Sequence, residues 1–132
     1  MADIPNNVVE IMNAPSTVKV LVTASKDGKP HAIVAGSIGS PAADTVIVGE
    51  ILMKTSSKNL KENSEVTILL ASGKDAYSID CVAKARLDQG PEIEMMNEAL
   101  KAMNLKASAV WVFNVKAVYD QGASPNAGKK LA

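Results

Sequence analysis

One cysteine, one histidine, one arginine and one tryptophan are all that these 132 residues contain of the side chains on which most catalytic and metal-binding motifs are built. A lone Cys81 excludes a disulfide framework and a cysteine-based zinc site, fits a reducing compartment, and reads as a small apolar residue packed in a strand. Charge of one sign is missing too: 14 basic and 14 acidic residues cancel, so no polyanion-binding surface is indicated and nucleic acid is not an expected partner. The apolar runs "TVKVLVTA" and "TVIVGEILM" fall far short of the roughly 20 residues a membrane helix needs. The start "MADIPNNVVE" has neither the basic opening nor the apolar block of a signal peptide, so a cytoplasmic protein that does not engage membranes is expected. Nucleotide-binding glycine loops are absent: there is no Walker lysine loop, and "GSIGS" has neither the spacing nor the βαβ setting of a dinucleotide fingerprint.

What is present suits one domain, residues 1–132, with a leading helix in 1–15 and a Gly/Pro/Ala tail in 120–132 that needs a surface to lie on. Apolar residues make up 47% of the chain and charged ones 21%, enough for a core. "DIPNNVVEIMNA" offers Asp3 as N-cap, Pro5 in the first turn and Val8, Ile11 and Met12 at helical spacing, with Pro15 closing the segment. Asp27-Gly28 separates two β-rich runs and predicts a hairpin. "DTVIVGEI" reads as a third strand, "EVTILLAS" and "YSIDCVAKARLD" as a fourth and fifth, and "SAVWVFNVKAVYD" as a long sixth. Between the last two, "PEIEMMNEALKAMNL" carries Ile93, Met96, Leu100 and Met103 three and four apart, a helix whose methionine stripe faces a core. Six consecutive strands with short connections predict a mainly β fold, a six-stranded antiparallel split β-barrel with flanking helices.

Between the third and fourth strands lies "MKTSSKNLKEN". Ser56 or Ser57 as N-cap and Leu60 facing inward predict one or two helical turns. Free backbone N–H groups at a helix start, surrounded by the hydroxyls of Thr55, Ser56 and Ser57 and the ammonium groups of Lys54 and Lys58, outline a phosphate site. The same residues also suit a plain capped helix with solvated lysines. His31, without a partner visible in sequence, reads as a surface or packing residue, or as one facing a ligand. Trp111 reads as core or interface.

The order of these segments resembles the flavin-binding split barrels of the pyridoxamine 5'-phosphate oxidase-like superfamily over roughly residues 5–120. The resemblance rests on the hairpin residues Asp27, Gly28, Pro30 and His31 and on the block Ser56, Lys58, Leu60 and Asn63. It implies FMN at the interface of a homodimer. It assigns the phosphate to Lys54, Thr55, Ser56, Ser57, Lys58 and Asn59, with Lys58 in direct charge pairing. It assigns the ring to the strand residues Ile33, Val34, Ala35, Gly36 and Ser37, with Gly49, Glu50 and Ile51 as secondary contacts. Two departures matter. No arginine joins the lysines of "MKTSSKNL", and "NAGKKLA" lacks the arginine-bearing ending that grips pyridoxamine phosphate, so oxidation of that substrate is not expected. The resemblance therefore implies an FMN-binding redox protein, an electron carrier or small flavin-dependent reductase or oxidase, with a small-molecule or protein redox partner. The alternative is a non-catalytic split barrel that has lost flavin and binds another ligand in the same cleft. "SAVWVFNV" and the tail are the expected crossing points of the dimer.

Overall fold

The computed structural model describes residues 2–132; Met1 lies outside the described residues. Helix α1 (Asn6–Asn13) is followed by strands β1 (Val18–Ala24), β2 (Pro30–Val34), β3 (Ile38–Ala42) and β4 (Thr45–Glu50). Helix α2 (Lys54–Glu62), strands β5 (Glu65–Ser72) and β6 (Asp75–Leu87), helix α3 (Pro91–Leu100), a 3₁₀ turn (Lys101–Met103) and strand β7 (Ala109–Asp120) complete it. The strands form one antiparallel sheet in the order β2-β1-β5-β6-β7-β4-β3. The sheet curls so that its two ends approach each other. Ala35 donates its N–H to the Lys19 carbonyl at 2.9 Å, and the Lys19 ammonium donates to the Ile38 carbonyl at 3.2 Å, which ties β1 to the start of β3. This is the split barrel expected, with seven strands instead of six. The added strand is β3, "IGSPA", whose glycine and proline argue against a strand in sequence. It sits at the sheet edge, where a missing N–H donor is tolerated.

The Asp27-Gly28 hairpin forms as expected: β1 and β2 pair from Ala24–Pro30 inward, and Gly28 adopts φ +88°, a value that favours glycine. Imperfect alternation in β6 has a physical cause. Its pairing with β7 shifts register twice, with Lys84 as the extra residue in β6 and Lys116 as the extra residue in β7, and the bulge at Lys84 changes which face the following β6 side chains occupy. Inside the barrel, Leu21, Val46, Val48, Ile68, Leu70, Ile79 and Phe113 are buried with Val8 and Met12 of α1, which plugs one end. Helix α1 begins after Pro5, and no side chain caps it, so Asp3 does not act as the N-cap. On the outside of the β4–β7 pair, Ile93, Met96 and Leu100 of α3 pack with Val110, Ile47 and Ile51. The helix gives way to the 3₁₀ turn before Met103, which is 56% exposed and not part of the stripe; Met95 is also exposed.

The tail folds back on its own chain. Gly128 and Lys129 bond to Asp120, Leu131 donates to the Val118 carbonyl at 2.7 Å, and Lys130 bridges Tyr119, covering the end of β7 that β4 does not reach. Ala109, Val110, Trp111, Phe113 and Val115 are likewise buried against this chain's own elements. The tail's backbone is thus bonded within this chain, while residues 123–131 stay exposed. Among the described residues no helix is long and apolar enough to cross a membrane.

Candidate functional site

Strand β4 ends at Glu50, and three residues later α2 starts with no side chain capping it; Met53 is its N-cap, and Ser56 and Ser57 lie inside the first turn. The first bond of the helix is Ser57 N–H to the Met53 carbonyl at 3.0 Å, so the N–H groups before it have no intrahelical acceptor. That end carries the positive pole of the helix. The opposite side of α2 is anchored: Leu60 is buried, Asn59 Nδ2 donates to Thr23 Oγ1 at 3.1 Å, Asn63 Nδ2 donates to the Ser25 carbonyl at 3.2 Å, and Ser57 Oγ donates to Glu50 Oε1. Leu60→Ala is expected to cost about 2–4 kcal/mol by leaving a cavity, whereas Lys58→Ala, on the exposed face, stays within about 0.5 kcal/mol. Thermal melts of the two variants test this.

Between β2 and the start of α2 lies a cavity of about 190 Å³ lined by His31, Ile33, Leu52, Met53, Lys54, Thr55 and Ser56. Ser56 is 1% exposed, and its hydroxyl is the one buried side-chain polar atom without a hydrogen-bond partner among the described residues. Leaving such a group unpaired costs about 1–3 kcal/mol. Its surroundings, an open helix start with a lysine and a second hydroxyl, are those that receive an anionic oxygen.

The expected phosphate residues therefore divide. Lys54, Thr55 and Ser56 converge on the cavity; Ser57 and Asn59 have their side chains committed to Glu50 and Thr23; Lys58 is exposed and does not line the cavity, so the direct cation at this place is Lys54. The expected ring residues divide as well. Ile33 lines the cavity, Ala35 is buried, and Val34 points outward, 75% exposed. Since the Ala35 N–H points to β1, strand alternation turns the backbone groups of Val34 toward the open edge beside β2, and Gly36 lies in the turn that follows. Ser37 is bonded to Gly49 in both directions, Oγ to the Gly49 carbonyl at 3.0 Å and Gly49 N–H to the Ser37 carbonyl at 3.3 Å. A side chain at Gly49 would stand 3.1 Å from the Met96 sulfur, so the glycine serves close packing of α3. Ile51 packs in the same cluster.

Glu50 is engaged elsewhere. Its carboxylate accepts from Ser57 Oγ, from Trp111 Nε1 at 3.0 Å, from Ser108 Oγ at 3.0 Å, and from Arg86 through Nε at 3.3 Å and Nη2 at 2.5 Å. Arg86 first, then these neutral donors, hold its pKa down to about 2 against the opposing effect of burial. With both oxygens occupied, Glu50 joins α2, β6 and β7; its part in the site is to fix α2. The missed partners had one visible signal: a carboxylate closing an apolar strand needs a cation, and Arg86 is the only arginine. Cys81 is buried and its thiol is pushed up to about 12, by burial first and then by the nearby Asp80.

A curled antiparallel sheet with an open helix start beside its edge strand defines a split barrel. The pyridoxamine 5'-phosphate oxidase family model matches residues 4–122, and the chain belongs to that family. Among solved structures it is similar to HupZ of Group A Streptococcus, with 17% identity, a TM-score of 0.81 and coverage of 95% of this chain and 99% of that one. It is also similar to an FMN-binding protein of Syntrophomonas wolfei subsp. wolfei, with 17% identity, a TM-score of 0.78 and coverage of 87% and 84%. HutZ, the heme storage protein of Vibrio cholerae, matches with 15% identity, a TM-score of 0.63 and coverage of 92% and 97%. At these identities the likeness concerns the fold. No curated protein matches the chain in sequence.

Proposed function

We propose that this chain is an FMN-binding redox protein of the cytoplasm that holds the flavin phosphate at the start of α2. The observation that carries the reading is the Ser56 hydroxyl, buried and unpartnered, on a residue that lines a cavity with Lys54 and Thr55. A phosphate oxygen there satisfies the hydroxyl, meets the free N–H groups of the first turn and pairs with the ammonium, which compensates for the missing arginine. Bound flavin supplies the hydride and electron transfer; no side chain of this chain need act as acid or base. The chain's own part is to orient the cofactor through α2, fixed by Glu50 and Thr23, and to offer edge backbone groups of β2 to the polar side of the ring. Its redox partner is a small molecule or a protein.

The test is titration of the purified protein with FMN by fluorescence quenching, with riboflavin alongside. Tight FMN binding, weakened about tenfold or more when the phosphate is absent, supports the reading. Binding of a heme with a Soret band and no flavin binding sinks it, and retention of some other phosphate ester returns the chain to a non-catalytic ligand-binding barrel.

The same reading includes a homodimer. The outer face of β1, β5 and β6 sets Val22, Leu69 and Ala76 among the polar Thr67, Ser78, Asp80, Tyr119 and Gln121 around a shallow depression; Val20 pairs with Leu69 there, and Val18 and Val34 beside it are exposed. The exposed valines at its margin favour burial against a second copy. Leu69→Glu is expected to convert a dimer at micromolar concentration to monomer, read by sedimentation; a monomeric wild type at that concentration would count against the assembly.

A further inference from the structure

Arg86, the only arginine of the chain, does not line the cavity at the start of α2. It belongs to β6 and pairs in register with Trp111 of β7, while Glu50, the last residue of β4, pairs with Ala109 two residues earlier on β7. The three side chains therefore meet over β7. The guanidinium takes the carboxylate with two nitrogens, Nε to Oε1 at 3.3 Å and Nη2 to Oε2 at 2.5 Å. Lys101–Glu98 and Lys116–Glu65, the other ion pairs among the described residues, lie in solvent.

A two-point fork fixes the plane of a carboxylate, which a single point charge does not. That plane decides where Oε1 points. Oε1 also accepts from Ser57 Oγ, and this bond closes the connection from β4 into α2. Lys54, Thr55 and Ser56 lie inside the closed loop, so three residues that line the cavity are placed by a contact they do not themselves make. The other polar anchors of α2, Asn59 to Thr23 and Asn63 to the Ser25 carbonyl, sit further along the helix. Ser56 precedes Ser57 directly, and its buried hydroxyl has no partner of its own to hold it. The rotation of the first turn is what aims that hydroxyl.

We infer that Arg86 is a positioning residue of this site: without touching a ligand it holds Glu50, Glu50 holds Ser57, and the first turn of α2 is thereby presented to a phosphate. The inference rests on the reading of the cavity as a phosphate site. It gives the one arginine a part in anion binding although "MKTSSKNL" contains none.

FMN and riboflavin affinities are measured by fluorescence quenching on the wild type, Arg86→Met, Arg86→Lys, Ser57→Ala and Ser57→Ala/Arg86→Met, with thermal melts of the flavin-free proteins to confirm folding. Arg86→Met is expected to weaken FMN about tenfold, the size of one charge-assisted bond, and riboflavin by less than about twofold. Arg86→Lys, which keeps the charge and loses the fork, should fall between wild type and Arg86→Met. In the Ser57→Ala background Arg86→Met should cost no further affinity, because the link to α2 is already cut. Unchanged FMN affinity in folded Arg86→Met, an equal loss with riboflavin, or losses that add in the double variant overturn the inference while leaving FMN binding intact. If Arg86→Met does not fold, the lysine variant decides: a lowered preference for FMN over riboflavin supports the inference, and an unchanged one overturns it. If the wild type binds no FMN, the same series is read with inorganic phosphate through the rise it produces in Tm. A rise that depends on Arg86 keeps the inference and sinks the flavin reading; a rise indifferent to Arg86, or none, sinks both.

Discussion

Glu50→Leu lowers the melting temperature of the flavin-free protein by about 10 °C or more, the largest effect expected of any single substitution outside the barrel core. The carboxylate is one acceptor for four side chains, from α2, β6, β7 and the loop before β7. Its removal leaves the Trp111 N–H and the Ser57 hydroxyl buried without acceptors, and strips Arg86 of its counter-ion. Breaking a buried pair from one side costs about 3–5 kcal/mol, and Arg86, a third exposed, sets the value toward the lower end. The double variant Glu50→Leu/Arg86→Met should recover part of the loss, since the orphaned guanidinium goes with it. If Glu50→Leu melts within a degree or two of wild type, the network contributes nothing measurable.

The same carboxylate gives the protein an acid limit with a definite sign. Its pKa is held down to about 2 in the folded protein against 4.5 for an unperturbed glutamate. The stabilisation is complete above about pH 4.5, decays as pH falls and is gone below about 2, amounting to about 3 kcal/mol over that window. Glu50→Gln should flatten this part of the stability–pH profile, measured by urea unfolding at successive pH values. A profile of unchanged slope assigns the acid sensitivity to other carboxylates.

Ser56→Ala is expected to move stability and binding in opposite directions. In the flavin-free protein the hydroxyl is buried with no partner, so its removal should raise stability by about 1 kcal/mol. With FMN present the same change deletes a donor to the phosphate and should weaken binding about tenfold. Lys54→Ala should weaken it about ten- to hundredfold with little change in Tm, because the lysine is exposed at the cavity mouth. Paired melts and fluorescence titrations decide the matter. Loss of stability on Ser56→Ala would mean that the hydroxyl is satisfied within the protein, and unchanged FMN affinity in both variants would move the phosphate away from α2.

Sequence by itself was enough for the antiparallel strands, the hairpin at Asp27-Gly28, the amphipathic α3 and the helix that follows β4. Those features are written in short-range terms: alternation, glycine at a turn, apolar residues three and four apart. The strand "IGSPA" escaped because its glycine and proline oppose a strand locally, and only an edge position in the finished sheet makes it one. The block of hydroxyls and lysines at the start of α2 was legible as a group, since it lies in one short run of sequence. Which of them faces a ligand was not, because adjacent residues on a helix differ by about 100° and the rotation of α2 is set by contacts far along the chain. Thr23 and Glu50 bind Asn59 and Ser57, turning those two inward, and leave Lys54, Thr55 and Ser56 on the cavity with His31, brought there by pairing with β1. Composition and spacing thus determined what chemistry the segment holds; long-range packing alone decided its direction.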